Sequence, residues 1–477
     1  MMNAHDAIII GSGPNGLAAA VHLSMRGWKT LVLEAAPTIG GGMRTKELTL
    51  PGFKHDVCSA VHPMGLASPF FQTLPLEQNG LRWIQPEIPL AHPLDGGRAA
   101  VLHRSLAQTA AGLGRDAQRY RRYFAPLVNR AHDLYGDMLA PARFPKHPLL
   151  MAQLGIGAMW PATWSAKYFH TEEARALFAG NAAHSVMPLE KPLTSAIGLV
   201  LQLSAHAVGW PIPEGGSQGI AETLARILKA HGGEISCDAP VKSFADLPPA
   251  KAYLFDVSPR NLARICGDVL PSNYRNRLDS FRHGPGVFKV DYALNAPIPW
   301  TNESCRKAGT VHVGGTLEEI ALSERDAWNG NITAKPFVLV AQPSIADPTR
   351  APAGKHVAWA YCHVPSGSNV DRLAAINAQI ERFAPGFRDC ILATHTMNCD
   401  AMEAYNANYI GGDVIGGVTD LRQLFTRPVA RWNPYTTPHD KIFLCSASTP
   451  PGGGVHGMCG FWAAEAVLHR MPQSHSV

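Results

Sequence analysis

Gly11, Gly13 and Gly16, followed by Glu34, are the residues whose types and spacing most directly bring chemistry to this chain. Gly11 permits a tight turn. Gly13 lets a pyrophosphate approach the backbone with no Cβ in the way, and Gly16 lets a following helix pack close to the preceding strand. Pro14 and Asn15 open that helix: proline suits the first turn, where its missing N–H costs nothing. The helix start then offers free amides and a partial positive charge to phosphates. Glu34, with Ala35 beside it, ends a second apolar run. A carboxylate there accepts hydrogen bonds from ribose hydroxyls and repels a 2′-phosphate, which disfavours NADP. The elements needed to place these groups are all present: an apolar strand over Ala7–Ile10, a helix over Leu17–Met25 and a strand over Thr30–Leu33. Strand, glycine turn, helix, strand and acid make a complete βαβ unit for a dinucleotide.

A second glycine cluster chooses among dinucleotides. Gly40, Gly41 and Gly42 run into Met43, Arg44 and Thr45, just past the acid. Glycines there permit another close approach to a diphosphate, and Arg44 or Thr45 can bond its oxygens. NAD dehydrogenases have no use for this loop, whereas FAD enzymes do. A third piece lies far along the chain. An expected strand over 441–445 leads through Ser446, Ser448 and a run of glycines to His456, Gly457 and Met458, then to a helix over 461–470. A glycine turn into a helix start stabilises negative charge, here at the N1–O2 edge of a reduced flavin. The expected cofactor is FAD.

These stretches resemble the phytoene-desaturase-like FAD-dependent oxidoreductases, a branch of the flavin amine-oxidase superfamily, and especially a broad set of bacterial members and their mitochondrial relatives. The runs that carry the resemblance are 8–20, 33–41, 51–56, 209–228, 284–294 and 446–460, nearly end to end. The first and last are specific for FAD, the middle ones for the branch. One departure is Phe461-Trp462, where the family has an aromatic-His or His-Asn pair. The resemblance implies an α/β (α+β, two-domain) fold. A Rossmann-like FAD-binding domain of the GR2 βαβ type is interleaved with a substrate domain of antiparallel sheet and helical cap. The FAD domain is expected from three stretches, 1–65, 209–279 and 411–477. The helical cap is expected over 66–208 and the antiparallel sheet over 280–410. Val241, at the end of an expected strand over 234–243, would flank the adenine side.

Composition agrees with a large enzyme and excludes other classes. The chain has 477 residues, 46% of them hydrophobic and 17% charged, enough apolar material for a core and an apolar pocket. Disorder needs low hydrophobicity and high charge. The net charge of +5 is small for this length. The basic cluster Arg119, Arg121 and Arg122 alternates with Tyr120 and Phe124 as the solvated face of an amphipathic helix, so no nucleic-acid partner is expected. The nine cysteines form no C-x-x-C and no disulfide framework, and the first ten residues lack a signal-peptide pattern. The expected location is cytoplasmic. Two uncharged stretches, 148–166 and 192–213, approach spanning length but contain prolines, glycines and glutamines. They are expected as buried or interfacial helices, with shallow membrane contact as the alternative.

There is no second G-x-G-x-x-G after a strand, which argues against a nicotinamide domain, and no C-x-x-x-x-C, which excludes disulfide reduction. A substrate-derived hydride would reduce FAD, and oxygen or a quinone would reoxidise it. Candidate acid–base residues are His456 and His62, the latter with His55, Asp56 and Ser59 nearby, since histidine suits proton transfer near neutral pH. Tyr409 and Asn408 could also reach the ring. Cys459 reads as a small buried residue rather than a redox thiol. No residue spacing suggests a metal. The first reading is an FAD-dependent dehydrogenase or desaturase acting on an apolar, isoprenoid- or lipid-like small molecule. The second is a flavin amine oxidase; such enzymes often place a lysine near flavin N5 and an aromatic pair over the ring, neither of which the sequence assigns here. The third is a non-catalytic prenyl-group-binding protein on the same fold. The substrate's identity and the oligomeric state have no signature in the sequence.

Overall fold

The computed structural model describes residues 5–471. A parallel sheet forms the base, with strand order Ile442–Leu444, Ala252–Phe255, Ala7–Ile10, Thr30–Leu33 and Glu234–Ser236. The first strand sits at its centre, pairing in parallel with two neighbours at Ala7↔Ala252 and Ala7↔Thr30. Its four residues are buried on both faces, which is why it reads as a continuous apolar run rather than an alternating one. Helices Pro14–Met25, Gln218–Ala230 and Met458–Arg470 cover one face. The first and last pack so closely that a Cβ on Gly460 would lie 1.8 Å from the Asn15 carbonyl oxygen.

A seven-stranded, mostly antiparallel sheet forms the roof. Its order is Ile391–Met397, Gly286–Leu294, His356–Val364, Val338–Ala341, Ala308–Val313, Ile88–Leu94, Arg98–Leu102. Two of these strands fall inside the stretch expected to be helical cap. Pro89 and Pro93 hide Ile88–Leu94 in the sequence, because proline within a run argues against a strand. This strand joins Ala308–Val313 in parallel. The expected strand over 234–243 stops at Ser236. Asp238 turns left-handed (φ 51°) and donates its N–H to Ala36 O, and Pro240 cannot continue a ladder.

Alternation along the roof strands separates two faces. Phe288, Val290, Tyr292, Val311, Val340, Ala358 and Ala360 form a core under helix Leu373–Phe383, with Ile376 and Ile380. Their neighbours in sequence, Lys289, Asp291, Thr310, His312, Leu339, Trp359, Tyr361 and His363, therefore turn to the other face. The cap helices Ala117–Val128, Pro148–Ala158, Glu172–Ala182 and Thr194–Ala207 close the side. Tyr120, Phe124 and Leu127 of the first bury the apolar stripe that its spacing predicts. Among the described residues no helix is long and apolar enough to cross a membrane.

Candidate functional site

A cavity of about 720 Å³ runs between base, roof and cap. At its base end lie Gly11, Ser12, Gly13, Pro14 and Asn15, at the strand-to-helix turn, with Glu34 and Ala35 at the end of the next strand. Gly11 has φ 101°, a left-handed conformation that disfavours any side chain. Glu34 is buried and well anchored. It accepts from the Ser12 N–H (2.9 Å) and hydroxyl and from the Ala36 N–H (2.9 Å), and pairs with Arg44 at 3.1 Å. The two glycine clusters meet here: a Cβ on Gly41 would sit 3.0 Å from Gly13 Cα, and Gly40 N–H donates to Ser12 O.

Gly41, Gly42, Arg44, Val241, Ser446 and Ser448 also line the cavity. Arg44 spends its guanidinium on Thr38 O and Glu34, so it anchors the acid from behind. Gly16, Gly40, Met43, Thr45, Gly457 and Met458 lie behind the lining and shape the loops instead. Thr45, expected to reach a diphosphate, donates its hydroxyl to Asp56 (2.7 Å). The Met458 N–H donates to His456 Nδ1 at 3.0 Å. A residue the sequence did not single out stands among the glycines. Asp256 accepts from the Gly16 N–H (2.9 Å), and a Cβ on Gly13 would fall 2.6 Å from its Oδ2. Burial pushes its pKa up to about 7, against the pull of the Gly16 amide, with Glu34 adding to the rise.

Both candidate histidines line the cavity. Burial lowers each to about 4, so both rings are neutral at pH 7. His456 Nδ1 is committed to its own loop. Ser217 donates to Ser59 O (2.6 Å), which leaves His62 Nε2–H to donate to the Ser217 oxygen (2.7 Å). His55 and Asp56 do not reach the lining. Asp56 forms a fully buried ion pair with Arg350 at 2.7 Å. Burial works to raise its pKa, but Arg350 and the Ser217 amide hold it below the usual carboxylate range. Tyr409 and Asn408 do line the cavity; Asn408 accepts from the Ser258 N–H at 2.8 Å. Cys459 bonds to backbone carbonyls of its own loop, and burial raises its thiol to about 11, so it stays protonated and unreactive.

The roof contributes what the sequence did not assign. Lys289 is buried on the cavity wall, paired with the equally buried Asp291, its ammonium 5.5 Å from the Trp359 ring centre. Trp359 and Tyr361 stack at 5.6 Å with planes 12° apart, and both line the cavity. Asp291 continues to His395 at 3.4 Å, a partly exposed ring on the outermost strand. The cap wall is apolar, with Met64, Met138, Leu139, Ile197, Val200 and Leu201. Outside that wall, Leu149 (87% exposed) and Ile156 (71%) project from the uncharged helix Pro148–Ala158. The stacked Trp160 and Trp164 follow.

Comparison with known proteins agrees with this architecture. The NAD(P)-binding Rossmann-like domain family matches residues 9–73. The chain is 26% identical to pyridine nucleotide-disulfide oxidoreductase domain-containing protein 2 of Rattus norvegicus, over 97% of this chain and 93% of that protein. It is 22% identical to a lycopene-forming phytoene desaturase of Pseudescherichia vulneris, over 97% of this chain and 98% of that one. A putrescine oxidase structure with bound putrescine superposes with a TM-score of 0.62 at 16% identity, covering 98% of both chains. FAD suits the base end of the cavity on the chain's own geometry. Two touching glycine clusters leave a cradle that side chains would fill, a buried carboxylate stands where a ribose needs an acceptor, and Asn15, in the first turn of a helix, lines the same space.

Proposed function

We propose that the chain is a phytoene-desaturase-like FAD-dependent oxidoreductase of the flavin amine-oxidase superfamily that removes a hydride from an apolar, isoprenoid- or lipid-like small molecule, a reading supported by its similarity to phytoene desaturases. The observation that carries this reading is the continuity of one cavity, from the glycine cradle to an apolar wall built by the cap helices. FAD, when bound, supplies the hydride acceptor. Gly11, Gly13, Glu34 and Gly41 would hold its nucleotide half; Val241 the adenine side; Ser446 and Ser448 the far loop. Met138, Leu139, Ile197 and Leu201 exclude water and orient an apolar substrate by shape. His456 and His62, both neutral, are the proposed acid–base residues: His62 can accept a proton at Nδ1, since its Nε2–H donates to Ser217, and His456 can donate one from Nε2, since its Nδ1 accepts from the Met458 N–H. Oxygen or a quinone is the proposed terminal acceptor.

A second reading, an amine oxidase, draws support from the buried Lys289 and the stacked Trp359–Tyr361 pair. Substrate panels separate the two. The purified protein should carry flavin absorbance, and an apolar compound should bleach it under anaerobic conditions; protein that stays colourless after incubation with FAD overturns both readings. Hydrogen peroxide released from amines, with no bleaching by apolar compounds, selects the second. His456→Ala should keep flavin and lose about 100-fold in turnover; unchanged turnover removes it from catalysis.

Peripheral membrane contact is part of the proposal. Helix Pro148–Ala158 packs on Thr194–Ala207, which lines the cavity, and turns Leu149 and Ile156 outward among exposed Arg143, Lys146 and Lys167. An apolar face with a basic fringe suits an anionic bilayer surface. Co-sedimentation with anionic vesicles, lost in the double variant Trp160→Ser/Trp164→Ser, checks it.

A further inference from the structure

The cap end of the cavity is polar at one corner. His184 and Ser185, at the end of helix Glu172–Ala182, meet Thr310 and His312 of the roof there, and His184, Ser185 and Thr310 all line the cavity. His184 Nε2 lies 2.9 Å from His312 Nε2. Behind this pair, His92 donates its Nε2–H to Gly315 O at 2.7 Å. The hydroxyls of Ser185 and Thr310 and the Nδ1 atoms of His312 and His92 are buried and have no partner among the described residues.

We propose that this corner is a binding subsite for a neutral oxygen function, a hydroxyl or a carbonyl, at one end of an otherwise apolar substrate. The inference rests on the oxidoreductase reading above and narrows its substrate from a plain hydrocarbon to an oxygenated one. Buried polar atoms in folded proteins are paired, and unpaired ones cost free energy until something pairs with them. Here two of them, the Ser185 and Thr310 hydroxyls, belong to the lining, in the same cavity as the apolar Ile197, Val200 and Leu201.

The chemistry of the corner selects a neutral group. Only one ring of the His184–His312 pair can donate the shared hydrogen bond. His184 Nδ1 is therefore an acceptor in one arrangement and a donor in the other, and two hydroxyls beside it can do both. That set matches a hydroxyl, which donates and accepts, or a carbonyl, which accepts. Burial lowers His184 to about 3 and His312 well below its ordinary value, each further opposed by neighbouring histidines, so no cation stands ready for a carboxylate. Glu324, a buried carboxylate bonded through Oε2 to His363 at 2.7 Å, does not line the cavity, so no carboxylate of this corner faces an ammonium there.

The test is equilibrium binding to the holoprotein, followed by perturbation of the flavin spectrum, with octane, 1-octanol, 2-octanone, octanoate and octylamine at pH 7. An apolar pocket alone favours octane, the most hydrophobic of the set. The subsite is expected to bind octanol and octanone about 10-fold more tightly than octane, a preference that falls to about twofold or less in Thr310→Val and in His184→Phe. Thr310→Val is the variant that preserves shape if His184→Phe does not fold. Octane binding as tightly as octanol, tighter binding of octanoate or octylamine than of octanol, or a preference unchanged in both variants would each overturn the subsite. A colourless protein instead fails the oxidoreductase reading, so the two failures are distinguishable.

Discussion

The parallel base sheet and the roof sheet meet at one cavity but contribute to it through different parts of the chain. The base offers backbone. Its strands are short and apolar, and the groups that face the cavity at their ends are mostly glycines and amides, with the carboxylates of Glu34 and Asp256. The roof offers side chains. One face of its strands is an apolar core, and the other carries lysine, aspartate, histidines and aromatics. In the base, a ligand meets what the residues lack; in the roof, it meets what they carry. The proposed ligand-holding chemistry is therefore concentrated in a few contiguous motifs at the base, while the side chains proposed for reaction and selectivity are spread across strands far apart in sequence.

Three single substitutions and one double variant probe that division. The largest effect is expected from Gly13→Val. Its side chain would enter the cradle and press on Asp256, whose Oδ2 already stands 2.6 Å from a Cβ there. Flavin retention, read as the ratio of visible to protein absorbance, should fall to zero; full occupancy would mean that the backbone at the base is not what holds the cofactor. Next is Lys289→Met in the roof. Flavin should remain while turnover falls about 100-fold. Asp291, left as a buried carboxylate without its ammonium partner, should cost about 3–5 kcal/mol of stability. The double variant Lys289→Met/Asp291→Leu should recover most of the stability, read as Tm, and none of the turnover. Turnover that returns with Tm would make the pair structural only.

The smallest effect is expected from Asp256→Asn, and it concerns pH. Asp256 is the exception in the base, a side chain placed among the glycines. Its folded pKa, near 7, is raised above the unfolded value. Its stabilising contribution is therefore full at low pH and is lost as pH rises toward 7, where a carboxylate appears beside the diphosphate position. Flavin affinity of the wild type should fall several-fold between pH 6 and 8, and that of the Asn variant should stay flat. Equal slopes in both proteins would assign the pH dependence elsewhere.

The same division explains what could be read from the sequence. Gly11, Gly13, Glu34 and the 446–458 loop were legible because backbone chemistry demands glycines at fixed local spacing. Lys289, Trp359 and Tyr361 were not, because every second residue of a strand faces the cavity, and their juxtaposition depends on which strands pair. Asp256 was missed because one acid after an apolar strand has no signature until the turn it supports is seen. The roof strand Ile88–Leu94 was masked by its two prolines. His62 and Thr45 were found by proximity to motifs, but their hydrogen-bond partners, Ser217 and Asp56, come from distant or neighbouring segments whose docking no local pattern encodes.

The close crossing of helices Pro14–Met25 and Met458–Arg470 has a consequence for biogenesis. Asn15 sits in the first turn of the cradle's own helix, and its carbonyl rests against Gly460. The central strand Ala7–Ile10 must also wait for Ala252–Phe255. At about 5–20 residues per second of synthesis, the first strand leaves the ribosome roughly tens of seconds before its second neighbour exists. During that time an apolar strand has an open edge, a condition that invites mispairing and a chaperone's attention. The glycine cradle therefore reaches its final packing only once the last helix, Met458–Arg470, has been made.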